Sequence, residues 1–384
     1  MRIVYPLMWS RPDRKACRQQ TMGTVAALAR RGHRVTLLMP QGRDDPEMSA
    51  AALCDYFGVE GDFRLVQRPS RWSGEALART LLWLRQVFHD PELAEADLLC
   101  SRIPAMLGMG RRSPLPFAVD HYRLWPDDLP IIRPLLRHTA RDPKCLGIIL
   151  HSDHAAGAYR RAGVAEAKLL VAHNGADPLP EAPPAKAEAR ARLDLPAARS
   201  IALYAGRVNE AKGLDQILAL AGLRPDVLFL LVGSEGEGPV EAAARRLANV
   251  RIVPWQAPAA LPQWLAAADA LLVPASRAPL ERFRNCVLPL KLFAYLAAGR
   301  PILAPLAPDT AELLRDEDNA LLVAPGKPEL AAAALDRILD YPSLAGRLSR
   351  NARTSAAGLT WDRRAEKIEA FLESRLSARH RPGR

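Results

Sequence analysis

Apolar positions fall into two alternating rhythms along the chain. Short aliphatic runs at 1–6, 34–39, 96–100, 117–119, 147–150 and 169–172 have the length of buried strands. Between them, 21–31, 51–56 and 74–88 space their apolar residues at helical intervals, and Gly32 closes the first. The rhythm restarts at 200–204. Strands are then predicted over 227–232, 250–253, 270–273, 302–304 and 320–323. Helices are predicted from Leu214 onward and over 261–268 and 289–298. In the last of these, Leu290, Phe293, Leu296 and Ala297 share a face, Pro289 suits the first turn, and Gly299 and Pro301 end it. A final amphipathic helix is predicted over 361–376, followed by a basic tail, 379–384, expected to be mobile. Regular strand–helix alternation predicts α/β architecture: two doubly wound, Rossmann-like parallel sheets, with ligands at the carboxyl ends of the strands.

One compositional break divides the chain. Residues 178–199 are rich in Pro, Ala, Glu and Arg and read as a linker with a short helix at 186–193. The expected domains are 1–177 and 200–360, with 361–384 as a terminal helix and tail. At 384 residues the chain is long enough for both. It has no apolar run of membrane-spanning length. The first residues, MRIVYPLMW, run directly into a strand without a signal-peptide pattern. Five scattered cysteines lack CxxC spacing, which argues against a disulfide framework and a zinc site. A cytoplasmic location is expected.

Charge narrows the partners. The formal net charge is +11, which suits a nucleic acid, an anionic membrane surface or an anionic small substrate. No basic run interleaved with aromatics occurs, so nucleic acid ranks last. Arg11, Arg14, Lys15 and Arg18 follow the first strand, where an anionic ligand or bulk solvent would meet them. Asp120-His121 ends a strand; the histidine would contact a substrate oxygen there, or be satisfied by backbone. In the second half, Gly206, Arg207, Lys212 and Gly213 follow a strand, and Gly233-Ser234 opens a glycine-rich loop after its neighbour. Lys291 begins a helix near the same edge. Glycine backbone, fixed charge and a helix N-terminus together suit a diphosphate. No DxD-like pair stands in a plausible position, so no metal is expected.

Five segments carry a family resemblance: LYAGRVNEAKGLD (203–215), LFLLVGSEGEGP (228–239), LPQWLAAADALLVPAS (261–276), LPLKLFAYLAAGRPILA (288–304) and DNALLVAPGKPELAAAAL (318–335). In order and spacing they resemble the retaining glycosyltransferases of family 4, which have the GT-B fold of two Rossmann-like domains facing a cleft. A looser likeness covers RRGHRVTLL (30–38), Asp120-His121 and AHNGADP (172–178). The resemblance implies a nucleotide-sugar donor, UDP- or GDP-linked, on the second domain and an acceptor on the first. It implies a final helix that packs back on the first domain, and no further cofactor. Arg207 and Lys212 match the pair that stabilises the departing diphosphate, flanked by Gly206 and Gly213. His121 matches a histidine near the transferred sugar. Trp255 lies where the base is contacted, and is either a stacking platform or a core residue.

The departures are as specific as the matches. The family's two glutamates fall at Cys286 and Ala294, so both carboxylates are replaced. The loss at Ala294 removes a ribose contact of about 1.5–3 kcal/mol, one to two decades of donor affinity. Glu281, on the preceding loop, is the candidate substitute. The N-terminal Gly-Gly loop is replaced by residues 8–14. The leading expectation is transfer of a hexose, with retention, to a glycan, lipid-linked or small-molecule hydroxyl. The alternative is a degenerate, non-catalytic GT-B binding or assembly protein; an epimerase would need cleft carboxylates that are not found. Arg71, Arg111, Arg112 and Arg133 suit peripheral attachment to anionic lipid.

Overall fold

The computed structural model describes residues 1–72, 76–177, 184–282, 284, 286 and 288–380. It consists of two compact units, 1–175 with 361–384, and 176–360. In the first, seven parallel strands are ordered β3-β2-β1-β4-β5-β6-β7. They are β1 (Arg2–Pro6), β2 (Arg34–Gln41), β3 (Arg64–Pro69), β4 (Leu98–Ser101), β5 (Phe117–His121), β6 (Cys145–Leu150) and β7 (Leu169–Val171). The second carries six parallel strands ordered β10-β9-β8-β11-β12-β13. These are β8 (Ile201–Ala205), β9 (Leu228–Ser234), β10 (Val250–Pro254), β11 (Ala270–Leu272), β12 (Ile302–Pro305) and β13 (Leu321–Val323). Each sheet reverses its order at an interior strand, the doubly wound arrangement expected from the alternation.

The central strands are buried on both faces, which is why they read as unbroken apolar runs. Helices start and stop where local chemistry directs. Ser152 caps the Asp153–Arg161 helix by accepting from the Ala155 N–H. Gly299 ends the Lys291–Ala298 helix at φ 60°.

Several boundaries differ from the sequence expectation. The first helix is Ala16–Arg30, not 21–31, so the basic loop is shorter. Its added turn, residues 16–20, is mostly polar, but Gln20 is buried there. The Leu77–Val87 helix starts later than 74; residues 73–75 lie outside those described. Strand β3 was not anticipated, because RLVQRP at a sheet edge carries two arginines and a glutamine. Pro289 precedes its helix, which begins at Lys291. Residues 381–384 of the basic tail lie outside those described.

The expected linker is partly an element of the second unit. Residues 178–183 lie outside those described, but Lys186–Arg192 is a helix. Its Arg190 is buried, bonds Asp269 at 2.6 Å and donates to the carbonyls of Ala267 and Ala197. A buried anchor with a charge-assisted bond and several backbone acceptors fixes a segment rather than tethers it.

The terminal helix, Trp361–His380, belongs to the first unit. Gly23 gives room to the Trp361 ring: a Cβ there would sit 2.5 Å from it. Phe371 occupies the equivalent space over Gly147.

Candidate functional site

Strand β8 delivers Gly206 and Arg207, and β9 delivers Gly233 and Ser234, at neighbouring carboxyl ends. Gly206 has φ 141° and Gly233 φ 120°. A Cβ on Gly233 would lie 2.4 Å from the Gly206 carbonyl oxygen, so the two backbones can approach only as glycines. Tyr204 donates to the Arg207 carbonyl at 2.9 Å. From the Lys291–Ala298 helix, the Tyr295 hydroxyl accepts from Ala205 N at 2.7 Å and faces the Leu272 carbonyl at 3.3 Å. One tyrosine thus ties this helix to the ends of β8 and β11.

Three cations gather on that frame. The Lys291 Nζ stands 3.4 Å from the centre of the Tyr204 ring and lies against Gly206, where a Cβ would meet it at 2.8 Å. Desolvation, and then Lys212, hold the Lys291 ammonium well below the usual lysine range. Lys212 is lowered as well, by desolvation and then Arg207. Gly213, at φ 70°, turns the chain after Lys212 and packs on Ser276. Arg207 pairs with the Glu235 carboxylate at 3.2 Å, both partly exposed.

The remaining residues of the second unit are placed as follows. Ser234 is buried and donates to the Glu241 carboxylate at 2.6 Å, so its hydroxyl shapes the loop. Trp255 follows β10, donates its backbone N–H to the Ser234 carbonyl at 2.8 Å and is 37% exposed, which excludes the core alternative. Ala294 is partly buried against the core, and Cys286 is buried. Glu281 lies exposed on the Arg277–Arg282 helix. Tyr204, Tyr295 and Glu235 escaped the sequence reading; the tyrosines looked like ordinary apolar positions, and Glu235 like loop polarity. A separate pocket lined by Gln216, Leu272, Pro274, Val323 and Lys327 includes none of the three cations.

In the first unit, His121 ends β5 and is 2% exposed. Its Nδ1 accepts from the backbone N–H groups of Tyr122 (3.0 Å) and Arg123 (3.3 Å), and the Trp125 indole N–H points at the ring from 2.9 Å. Burial, with Arg102, Arg123 and His151 nearby, pushes the imidazole well below its ordinary range. It is therefore neutral near pH 7, a donor or acceptor rather than a charge. Asp120 precedes it and pairs with Arg364 at 2.8 Å and Arg102 at 3.4 Å. Arg102 was also missed: the sequence LLCSR gives no periodic signal beyond the strand itself.

Among the described residues, one His/acid group has metal-ligand spacing: His33, Glu369 and Glu373, with ligand atoms within 4.8 Å of one another. It lies at the amino-terminal start of β2, and Glu369 is also engaged by Arg31, as in an ion-pair cluster. Among the described residues no helix is long and apolar enough to cross a membrane.

Residues 185–355 match the family model for glycosyl transferases group 1, and residues 20–178 match that for glycosyltransferase family 4. A D-inositol 3-phosphate glycosyltransferase of Streptomyces griseus is 28% identical over 269 residues, 65% of this chain and 55% of that protein. Its counterpart in Actinosynnema mirum is 31% identical over 238 residues, 58% of this chain and 54% of that protein. The chain spans about half the length of the curated relatives it matches. Among solved structures, Anabaena HepE in complex with UDP-glucose superposes with TM-score 0.70 at 19% identity, covering 97% of this chain and 100% of that one. Sucrose-phosphate synthase of Thermosynechococcus elongatus gives TM-score 0.74 at 19% identity, covering 98% and 100%. These neighbours establish the GT-B fold.

Proposed function

We propose that this protein, whose residues 20–178 and 185–355 match the family 4 and group 1 glycosyltransferase models, transfers a hexose from a UDP- or GDP-linked donor to an acceptor hydroxyl, with retention of anomeric configuration. The observation that carries this reading is the cluster of Arg207, Lys212 and Lys291 at Gly206, with Arg207 paired to the partly exposed Glu235. Such a site is complementary to a diphosphate and gains most when the leaving group takes up negative charge. Arg207 and Lys212 stabilise that charge, and Lys291 adds a third contact. Gly206, Gly213 and Gly233 let backbone approach the phosphates, the Ser234 loop borders them, and Trp255 offers its exposed face to the base. His121, neutral, donates to or accepts from the transferred sugar. The leaving phosphate takes the acceptor proton, so no protein base is required.

The HepE complexes contain UDP and UDP-glucose, which favours a uridine donor here. The relatives are named for D-inositol 3-phosphate, which favours a small phosphorylated polyol as acceptor over a long glycan. With Ala294 and Cys286 at the glutamate positions, ribose is held without that carboxylate, and donor affinity is correspondingly modest. The same replacement supports the second reading, a GT-B binding protein without turnover.

Calorimetric titration with UDP, GDP, ADP and CMP separates them. Binding of one nucleotide by the wild type, lost in Arg207→Ala/Lys212→Ala, is the expected result. Absence of binding to all four would transfer the weight to the non-catalytic reading.

A further inference from the structure

At the carboxyl ends of β4 and β5, three charged side chains meet in the interior of the first unit. Arg102 follows β4, Asp120 lies within β5, and Arg364 comes from the terminal helix. Their side chains are 9%, 1% and 0% exposed. Two guanidiniums against one carboxylate leave one buried positive charge without a partner. Arginine does not shed that charge by deprotonation. His121, next in the chain, is neutral and supplies no compensation.

The two arginines differ in how they are satisfied. Arg364 donates to Asp120 (2.8 Å), to Thr24 Oγ1 (3.1 Å) and to the carbonyls of Ala172 and His173. It is a structural clamp. Arg102 has Asp120 at 3.4 Å, beyond a good hydrogen bond, and its Nη1 has no hydrogen-bond partner. Its guanidinium carbon lies 5.4 Å from the centre of the Tyr122 ring, within cation–π range. A buried, planar, oriented and unsatisfied guanidinium is costly unless something anionic meets it. It stands beside the histidine that the proposed transfer places at the sugar.

We infer that Arg102 is a specificity-determining residue that receives a phosphate group carried by the acceptor. The word acceptor rests on the transferase reading above; the phosphate site itself does not. A phosphate on the guanidinium would complete the hydrogen bonding of Arg102 and neutralise the excess charge. An uncharged acceptor of the same shape would leave both unmet, so discrimination against it would be large.

Inorganic phosphate is the probe, used on Arg207→Ala/Lys212→Ala so that the second unit's cations do not bind it. Phosphate should raise the melting temperature above that in sodium chloride of matched ionic strength. Adding Arg102→Gln should abolish the rise, and adding Arg102→Lys should retain part of it. No rise, or the same rise with Arg102→Gln, would overturn the inference. In wild-type background Arg102→Gln should bind UDP unchanged; loss of UDP binding would assign the residue to the donor and equally overturn it. Failure of the wild type to bind any nucleotide would instead sink the donor-site reading, while the phosphate result still decides Arg102. If Arg102→Gln does not fold, the His121 ring resonances of Arg207→Ala/Lys212→Ala provide the readout. They should shift with phosphate, and no shift would refute the site.

Discussion

At the residue scale, the donor reading stands on charges that compete with one another. Removing Arg207 and Lys212 together deletes two charge-assisted contacts of about 1.5–3 kcal/mol each, so nucleotide affinity should fall by two to four decades in calorimetry. Glu235 works in the opposite direction. It must release Arg207 before a phosphate binds, but an exposed pair is worth at most about 1 kcal/mol, so Glu235→Gln should tighten UDP no more than roughly fivefold. The lysines add a pH signature. Lys291 and Lys212 have lowered pKa values in the free protein, and a bound diphosphate raises them again. Binding therefore takes up protons in the window between the lowered values and the ordinary lysine range. Calorimetry in buffers of different ionisation enthalpy at alkaline pH should show net uptake, reduced by Lys291→Met; proton release would contradict the assignment. These residues were legible because motif spacing put glycine beside cation, and each glycine carries a positive φ. Arg102 was not, because its meaning depends on Asp120 and Arg364, which are distant in sequence.

At the scale of elements, strands and helices were legible where burial is two-sided or amphipathic, and illegible where long-range packing decides. Strand β3 pairs along β2 through RLVQRP, a segment whose own sequence reads as polar edge. The first turn of the Ala16–Arg30 helix is held by a contact distant in sequence, Gln19 donating to the Phe57 carbonyl at 2.9 Å, and its middle is covered by the terminal helix, with Trp361 against Gly23 and Arg364 on Thr24. The tie between the Lys291–Ala298 helix and β8 is of the same kind, since it depends on one hydroxyl. Tyr295→Phe would leave the buried Ala205 N–H unpaired at a cost of about 1–3 kcal/mol, measurable by urea unfolding. Because Ala205 immediately precedes Gly206, nucleotide affinity should weaken together with stability. Loss of stability with unchanged affinity would show that the helix does not position the phosphate loop.

At the scale of the whole molecule, the excess of 53 basic over 42 acidic residues has a local expression in the first unit. Ile131 is 87% exposed, with Leu129 and Leu135 at 46% and 49%. The helix Arg133–Arg141 that follows carries Arg133, Arg137 and Arg141 at intervals of four. Arg71 and Arg112 are exposed as well, whereas Arg111 and Arg133 are engaged by Asp142 and Asp127. Exposed apolar side chains in an arginine-bearing segment suit an anionic lipid surface better than they suit water, because aliphatic groups enter the interface while guanidiniums meet headgroup phosphates. Each cation near such a surface contributes about 1 kcal/mol at low salt and is screened within a Debye length. Vesicles rich in phosphatidylserine should therefore sediment the protein at low ionic strength and release most of it at high salt. Ile131→Glu/Leu135→Glu should weaken binding at both, since it removes the salt-insensitive apolar part. Equal binding by the double variant would mean that charge alone draws the protein to the surface. No sedimentation of the wild type at low salt would exclude the membrane as a partner.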